Sequence, residues 1–98
     1  MNSVNYIWQM RTVHLTISGR VQGVFFRAEA KDNALLYNIK GWIKNTNEGD
    51  VEAIVTGQEK DIEKFITWCH RGPEKAHVTD VSVTPLEKQI FSEFKVMR

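Results

Sequence analysis

One cysteine, Cys69, stands in a chain of 98 residues, so no internal disulfide can form and the fold needs no oxidising compartment. Apolar runs are short; none approaches the ~20 residues that a bilayer-spanning helix needs. The first nine residues, MNSVNYIWQ, have neither the basic start nor the long apolar stretch of a signal peptide. These absences lead to the expectation of a cytoplasmic protein with no membrane partner. A dominant charge is missing too: 13 basic residues face 12 acidic ones, for a net charge of +1. Such a balance exerts no general pull on nucleic acid or anionic lipid, so any anion binding has to be local. His14, His70 and His77 show no metal-ligand spacing and the acidic residues fall singly, so no metal site is expected. Linkers, repeats and low-complexity segments are also absent, and the length supports one domain.

What is present is a chain with 42% hydrophobic and 26% charged residues, the balance of a globular domain. Thr12 to Ser18 alternates polar and apolar, with Val13, Leu15 and Ile17 on one face, the pattern of a half-buried strand. From Phe26 to Tyr37 the composition turns helical, and Asn38 sits where a helix takes a left-handed cap. Gly41–Asn45 and Val51–Thr56 read as strands joined through Thr46-Asn47-Glu48-Gly49. A second helix is predicted from Glu59 to His70, with Ile62, Phe65, Ile66 and Cys69 on one stripe and Gly72-Pro73 as its stop. Val78–Thr84 and Phe91–Met97 close the chain as strands. The order, βαββαβ with an added final strand, predicts an α+β ferredoxin-like sandwich: two helices on one face of a mainly antiparallel sheet. Residues 1–9 are expected to be a flexible extension, with Ile7 and Trp8 able to dock, and residues 10–98 the domain.

Two segments could carry chemistry. Gly19-Arg20-Val21-Gln22-Gly23-Val24-Phe25-Phe26-Arg27 lies between a strand and a helix start. A loop there can turn consecutive backbone N–H groups inward as an anion nest, reinforced by the positive end of the helix. Arg27, near the first helical turn, could grip two oxygens of a phosphate with its planar fork. On these residues alone, a glycine-bearing turn with a solvated arginine remains the commoner explanation. The segment is neither a Walker loop nor a dinucleotide fingerprint. Asn45, at a strand end beside a turn, would by itself be an ordinary turn asparagine. Cys69 falls on an apolar helical stripe and reads as core, Trp42 and Trp68 as packing residues, and His14 as part of a polar strand face. An RNA-binding module shares this strand order but stacks bases on exposed aromatics. The candidate central strand here, Asp50-Val51-Glu52-Ala53-Ile54-Val55, has none.

Together the two segments are far more specific. Ile17-Ser18-Gly19-Arg20-Val21-Gln22-Gly23-Val24-Phe25-Phe26-Arg27 resembles the first acylphosphatase signature, G-x-V-Q-G-V-x-F-R. Gly41-Trp42-Ile43-Lys44-Asn45, with Gly49, Val51 and Gly57 at the right spacings, resembles the second. The resemblance spans residues 11 to 98. It implies that the backbone N–H groups of Val21, Gln22, Gly23, Val24, Phe25 and Phe26, with the Arg27 side chain, hold a phosphoryl group, and that Asn45 positions an attacking water. It further implies hydrolysis of small-molecule acyl phosphates to carboxylate and inorganic phosphate with no metal and no cofactor; a monomer is expected, and the charge balance leads to the expectation of no nucleic-acid partner. Three departures stand out: Ile43 for the usual valine, Asn38 for the usual glycine, and a tail, Phe94-Lys95-Val96-Met97-Arg98, without the frequent terminal tyrosine. All three are expected to leave the site untouched.

Overall fold

The computed structural model describes residues 9–98. Five strands and two helices follow in the order β1 (Met10–Arg20), α1 (Phe26–Leu36), β2 (Lys40–Asn45), β3 (Val51–Gln58), α2 (Glu59–Arg71), β4 (His77–Leu86) and β5 (Phe94–Val96). They form the ferredoxin-like α+β sandwich, with both helices on one face of a five-stranded sheet of order β4-β1-β3-β2-β5. β1 is flanked antiparallel by β3 and β4, β2 is antiparallel to β3, and β5 joins the far side of β2 in parallel. The expectation for the first nine residues falls mostly on residues 1–8, outside the described ones. Gln9 is described, and its carbonyl accepts the Glu59 N–H at 2.9 Å, at the start of α2.

The period-two alternation of β1 sends Val13, Leu15 and Ile17 fully into the core, where they meet Val51, Ala53 and Val55 of β3 and Ile43 of β2. α2 adds Ile62, Phe65, Trp68 and Cys69. α1 lies against the sheet through Phe26, Ala30 and Ala34 at successive i, i+4 positions. Small residues there let the helix approach the strands closely. The large apolar residues at its end, Leu35 and Leu36, are 67% and 73% exposed and take no part in the core.

The opposite face of the sheet carries a buried polar cluster. Thr12 and Thr56 touch through their hydroxyls at 2.7 Å. Thr56 Oγ1 donates to the Gln89 carbonyl at 2.8 Å, and the Gln89 N–H donates to Thr12 Oγ1 at 2.9 Å. The segment after β4 is thereby strapped across the sheet. That use of the chain shortens the last strand, which pairs only over Phe94–Val96 rather than the predicted Phe91–Met97.

Candidate active site

The connection from β1 to α1 is held from beneath and open above. Val21, Val24 and Phe26 are buried, pinning the loop to the core at three points. Gly23 and Phe25, between these anchors, both take left-handed backbone angles, with φ of 75° and 66°. Such reversals of hand curl successive N–H groups to one side, a concavity suited to an anion. Phe25 is also the residue just before α1, in the N-cap position, and it makes no side-chain capping hydrogen bond. The first N–H groups of an 11-residue helix, at the positive end of its dipole, therefore join the same concavity.

An open cleft of about 980 Å³ lies over this loop and is lined by Val21, Gly23, Phe25, Phe26, Arg27 and Asn45 together with Lys31, Asp32 and the chain end. Arg27 comes from the first turn of α1 and Asn45 from the last position of β2. The two side chains singled out in the sequence, 18 positions apart by their numbers, thus open on one cavity. Gln22 belongs to the loop through its backbone, but its side chain leaves it to reach the turn after Asn45, donating to the carbonyls of Thr46 and Asp50.

The tail contradicts the expectation that it leaves the site untouched. β5 runs parallel to β2 with Ile43 opposite Val96, so its end emerges beside Asn45. Met97 donates its N–H to the Ile43 carbonyl at 2.8 Å, and its own carbonyl accepts a hydrogen bond from Arg27 Nη1 at 2.8 Å. Val96 and Arg98 line the cleft. The sequence carried no signal for this contact, because a backbone carbonyl has no residue signature. Lys31 was missed for another reason: i and i+4 place it on the helix face of Arg27, but nothing in its type separates it from a solvated lysine.

Other reactive groups lie elsewhere. Cys69 is fully buried, and burial pushes its thiol pKa far up, which leaves it a packing residue. His14 sits on the helix-free sheet face, its Nε2 2.7 Å from Glu52 Oε2. The hydrogen bond to His14 holds the Glu52 carboxyl below its ordinary range, with help from Lys44. Trp68 packs on Phe26 and Phe65, whereas Trp42 is half-buried beside the Lys44 ammonium on the outer face. Among the described residues, no three His, Cys, Asp or Glu side chains gather as a metal site would require. No helix among them is long and apolar enough to cross a membrane.

Fold and cleft together define a small α+β sandwich with an open cleft over the loop between β1 and α1. The acylphosphatase family model matches residues 13–96, and the chain belongs to the acylphosphatase family. It is 41% identical over 85 residues to an acylphosphatase of Haloquadratum walsbyi, a match covering 87% of this chain and 91% of that one. The solved structure of an acylphosphatase from Coxiella burnetii superposes with a TM-score of 0.90 at 34% identity, covering 94% of this chain and 97% of that one. The acylphosphatase of Bacillus subtilis gives 0.86 at 30% identity, covering 91% and 99%. The protein is accordingly an enzyme, a hydrolase of acyl phosphates.

Proposed function

We propose that the N–H groups of residues 21–26 and the Arg27 guanidinium hold the phosphoryl group, and that the Asn45 amide orients the water that attacks it. The observation that carries this reading is the convergence of an uncapped helix start, a loop of reversed hand, Arg27 and Asn45 on one cleft.

The chemistry asks for little more. In an acyl phosphate the leaving group is a carboxylate, a weak base that departs without a strong general acid. Water adds to phosphorus as the bond from phosphorus to the acyl oxygen breaks, and the products are carboxylate and inorganic phosphate. Such a transition state is helped mainly by charge stabilisation on the equatorial oxygens and by alignment of the nucleophile. The cradle and Arg27 supply the first, Asn45 the second. A carboxamide cannot accept the water's proton at neutral pH, so the proton passes to a phosphoryl oxygen of the substrate.

The same reading makes residues 10–98 the catalytic unit, acting as a cytoplasmic monomer without metal or cofactor. It is supported by the described cleft residues, which all lie on that segment, and by a buried thiol that needs no oxidation. The test is hydrolysis of benzoyl phosphate by purified protein, beside an ordinary phosphate monoester, with and without a chelator. Rapid turnover of the acyl phosphate alone, indifferent to the chelator, is expected. Loss on chelation, restored by a divalent cation, would overturn the metal-free mechanism.

A further inference from the structure

The cradle and Asn45 belong to parts of the sheet that do not touch. The cradle follows β1, Asn45 ends β2, and β3 lies between those strands. Both ladders run out at one residue: Ile17 of β1 and Asn45 of β2 are each paired with Val51. Beyond it the sheet no longer sets the spacing between the two loops. The turn that follows Asn45 is closed on itself, with Thr46 N–H on the Asp50 carbonyl at 2.9 Å, Gly49 N–H on the Thr46 carbonyl at 3.3 Å and Asp50 N–H on Thr46 Oγ1 at 3.1 Å.

The Gln22 side chain crosses the gap. Gln22 Nε2 donates to the Thr46 carbonyl and to the Asp50 carbonyl, each at 2.8 Å. A carboxamide nitrogen has two N–H groups, and both are used here. The orientation is dictated by chemistry, since the amide oxygen turned toward two carbonyls would be repelled by both. Thr46 directly follows Asn45, and Asp50 directly precedes Val51, so a single nitrogen holds both feet of the turn. We propose that Gln22 is a positioning residue, which fixes the Asn45 turn to the phosphoryl cradle past the end of the sheet and so sets the distance from oriented water to phosphorus. The inference rests on the roles proposed above for the cradle and Asn45.

Gln22→Leu removes both donors with little change of bulk, and Gln22→Glu keeps the length while putting a non-donating carboxylate against the two carbonyls. A nucleophile misplaced by about 1 Å costs on the order of 10²-fold in rate. In both variants kcat on benzoyl phosphate is expected to fall roughly 10- to 100-fold. For Gln22→Leu, KM and the affinity for inorganic phosphate should stay within about threefold of the parent, because the cradle N–H groups remain. NMR of Gln22→Leu should show shifted or broadened amide signals for residues 46–50, while the amides of residues 21–26 still respond to added phosphate. A side chain that merely stabilised the fold would lower the melting temperature and leave kcat per folded molecule unchanged; that result would overturn the proposal. Unmoved signals in residues 46–50, or a rise in KM with kcat intact, would overturn it as well. The two readings fail separately. An inactive parent protein sinks the catalytic roles of the cradle and Asn45, whereas unmoved turn signals sink the clamp.

Discussion

At the scale of single residues, the roles proposed for Arg27 and Asn45 make two different contributions to one reaction. Arg27 has one nitrogen committed to the Met97 carbonyl, which leaves its other N–H groups for the phosphate contacts proposed above. Arg27→Ala should therefore raise KM and lower kcat together. Arg27→Lys should restore little, because an ammonium cannot hold the carbonyl and grip two phosphate oxygens in one planar fork. Steady-state kinetics on benzoyl phosphate, with circular dichroism to show that each variant is folded, decides the point. Asn45 has a different signature. Assigned to the water rather than the bound phosphoryl group, its loss in Asn45→Ala should cut kcat by roughly 10²–10³ while KM stays nearly constant. A raised KM with kcat preserved would make Asn45 a substrate-binding residue instead.

Elements respond to other pressures. β2 lies between β3 and β5, and at Gly41 the strands come so close that a Cβ would run into the Ile54 carbonyl; its φ of 142° also disfavours a side chain. Gly41→Ala should destabilise the sheet by more than about 1 kcal/mol, the usual penalty for alanine where the backbone is incompatible. Urea unfolding would measure it. The outer sheet face adds a pH-dependent increment through His14 of β1, Glu52 of β3 and Lys44 of β2, with Glu52 3.7 Å from the Lys44 ammonium. Because the folded state lowers the Glu52 pKa, this increment is present above the ordinary glutamate range and is lost as pH falls through the lowered folded value. For a pair this exposed it amounts to less than about 1 kcal/mol. Glu52→Gln should flatten that part of the stability profile in acid urea titrations, leaving the two proteins nearest in stability at the lowest pH.

For the whole molecule, ligand and fold are linked by mass action. Inorganic phosphate, as product, should compete with substrate and stabilise the native state by about 2.7 kcal/mol at a hundred times its dissociation constant. Thermal melts in a phosphate series should show the rise for the parent and Asn45→Ala, and little for Arg27→Ala. How far all this was legible in the sequence varies by part. The alternation of Val13, Leu15 and Ile17 and the stripe of α2 announced the core, and the two motif segments announced Arg27 and Asn45. α1 was harder to read, because close packing buries Ala30 and Ala34 and leaves Leu35 and Leu36 in solvent. Val83 is paired with the core residue Leu15 yet is 37% exposed, on an edge strand that the helices do not fully cover. The Met97 carbonyl and the two acceptors of Gln22 are backbone atoms, visible only once the chain has folded.

The arrangement of the sheet also bears on how quickly that folding can happen. β1 has no partner nearby in the chain: Val13 is paired with Val55 on one side and Pro85 on the other, and Gly41 of β2 waits for Phe94. Among the described strands, β2 and β3 form the one pairing closed by a short turn. Every other pairing needs a long loop to close, and the loss of chain entropy precedes the contacts that compensate for it. A topology so rich in distant pairings places assembly in the range of milliseconds to seconds rather than microseconds. The proposed cradle is anchored to the core through Val21, Val24 and Phe26, so phosphate binding should return only with the folded sheet.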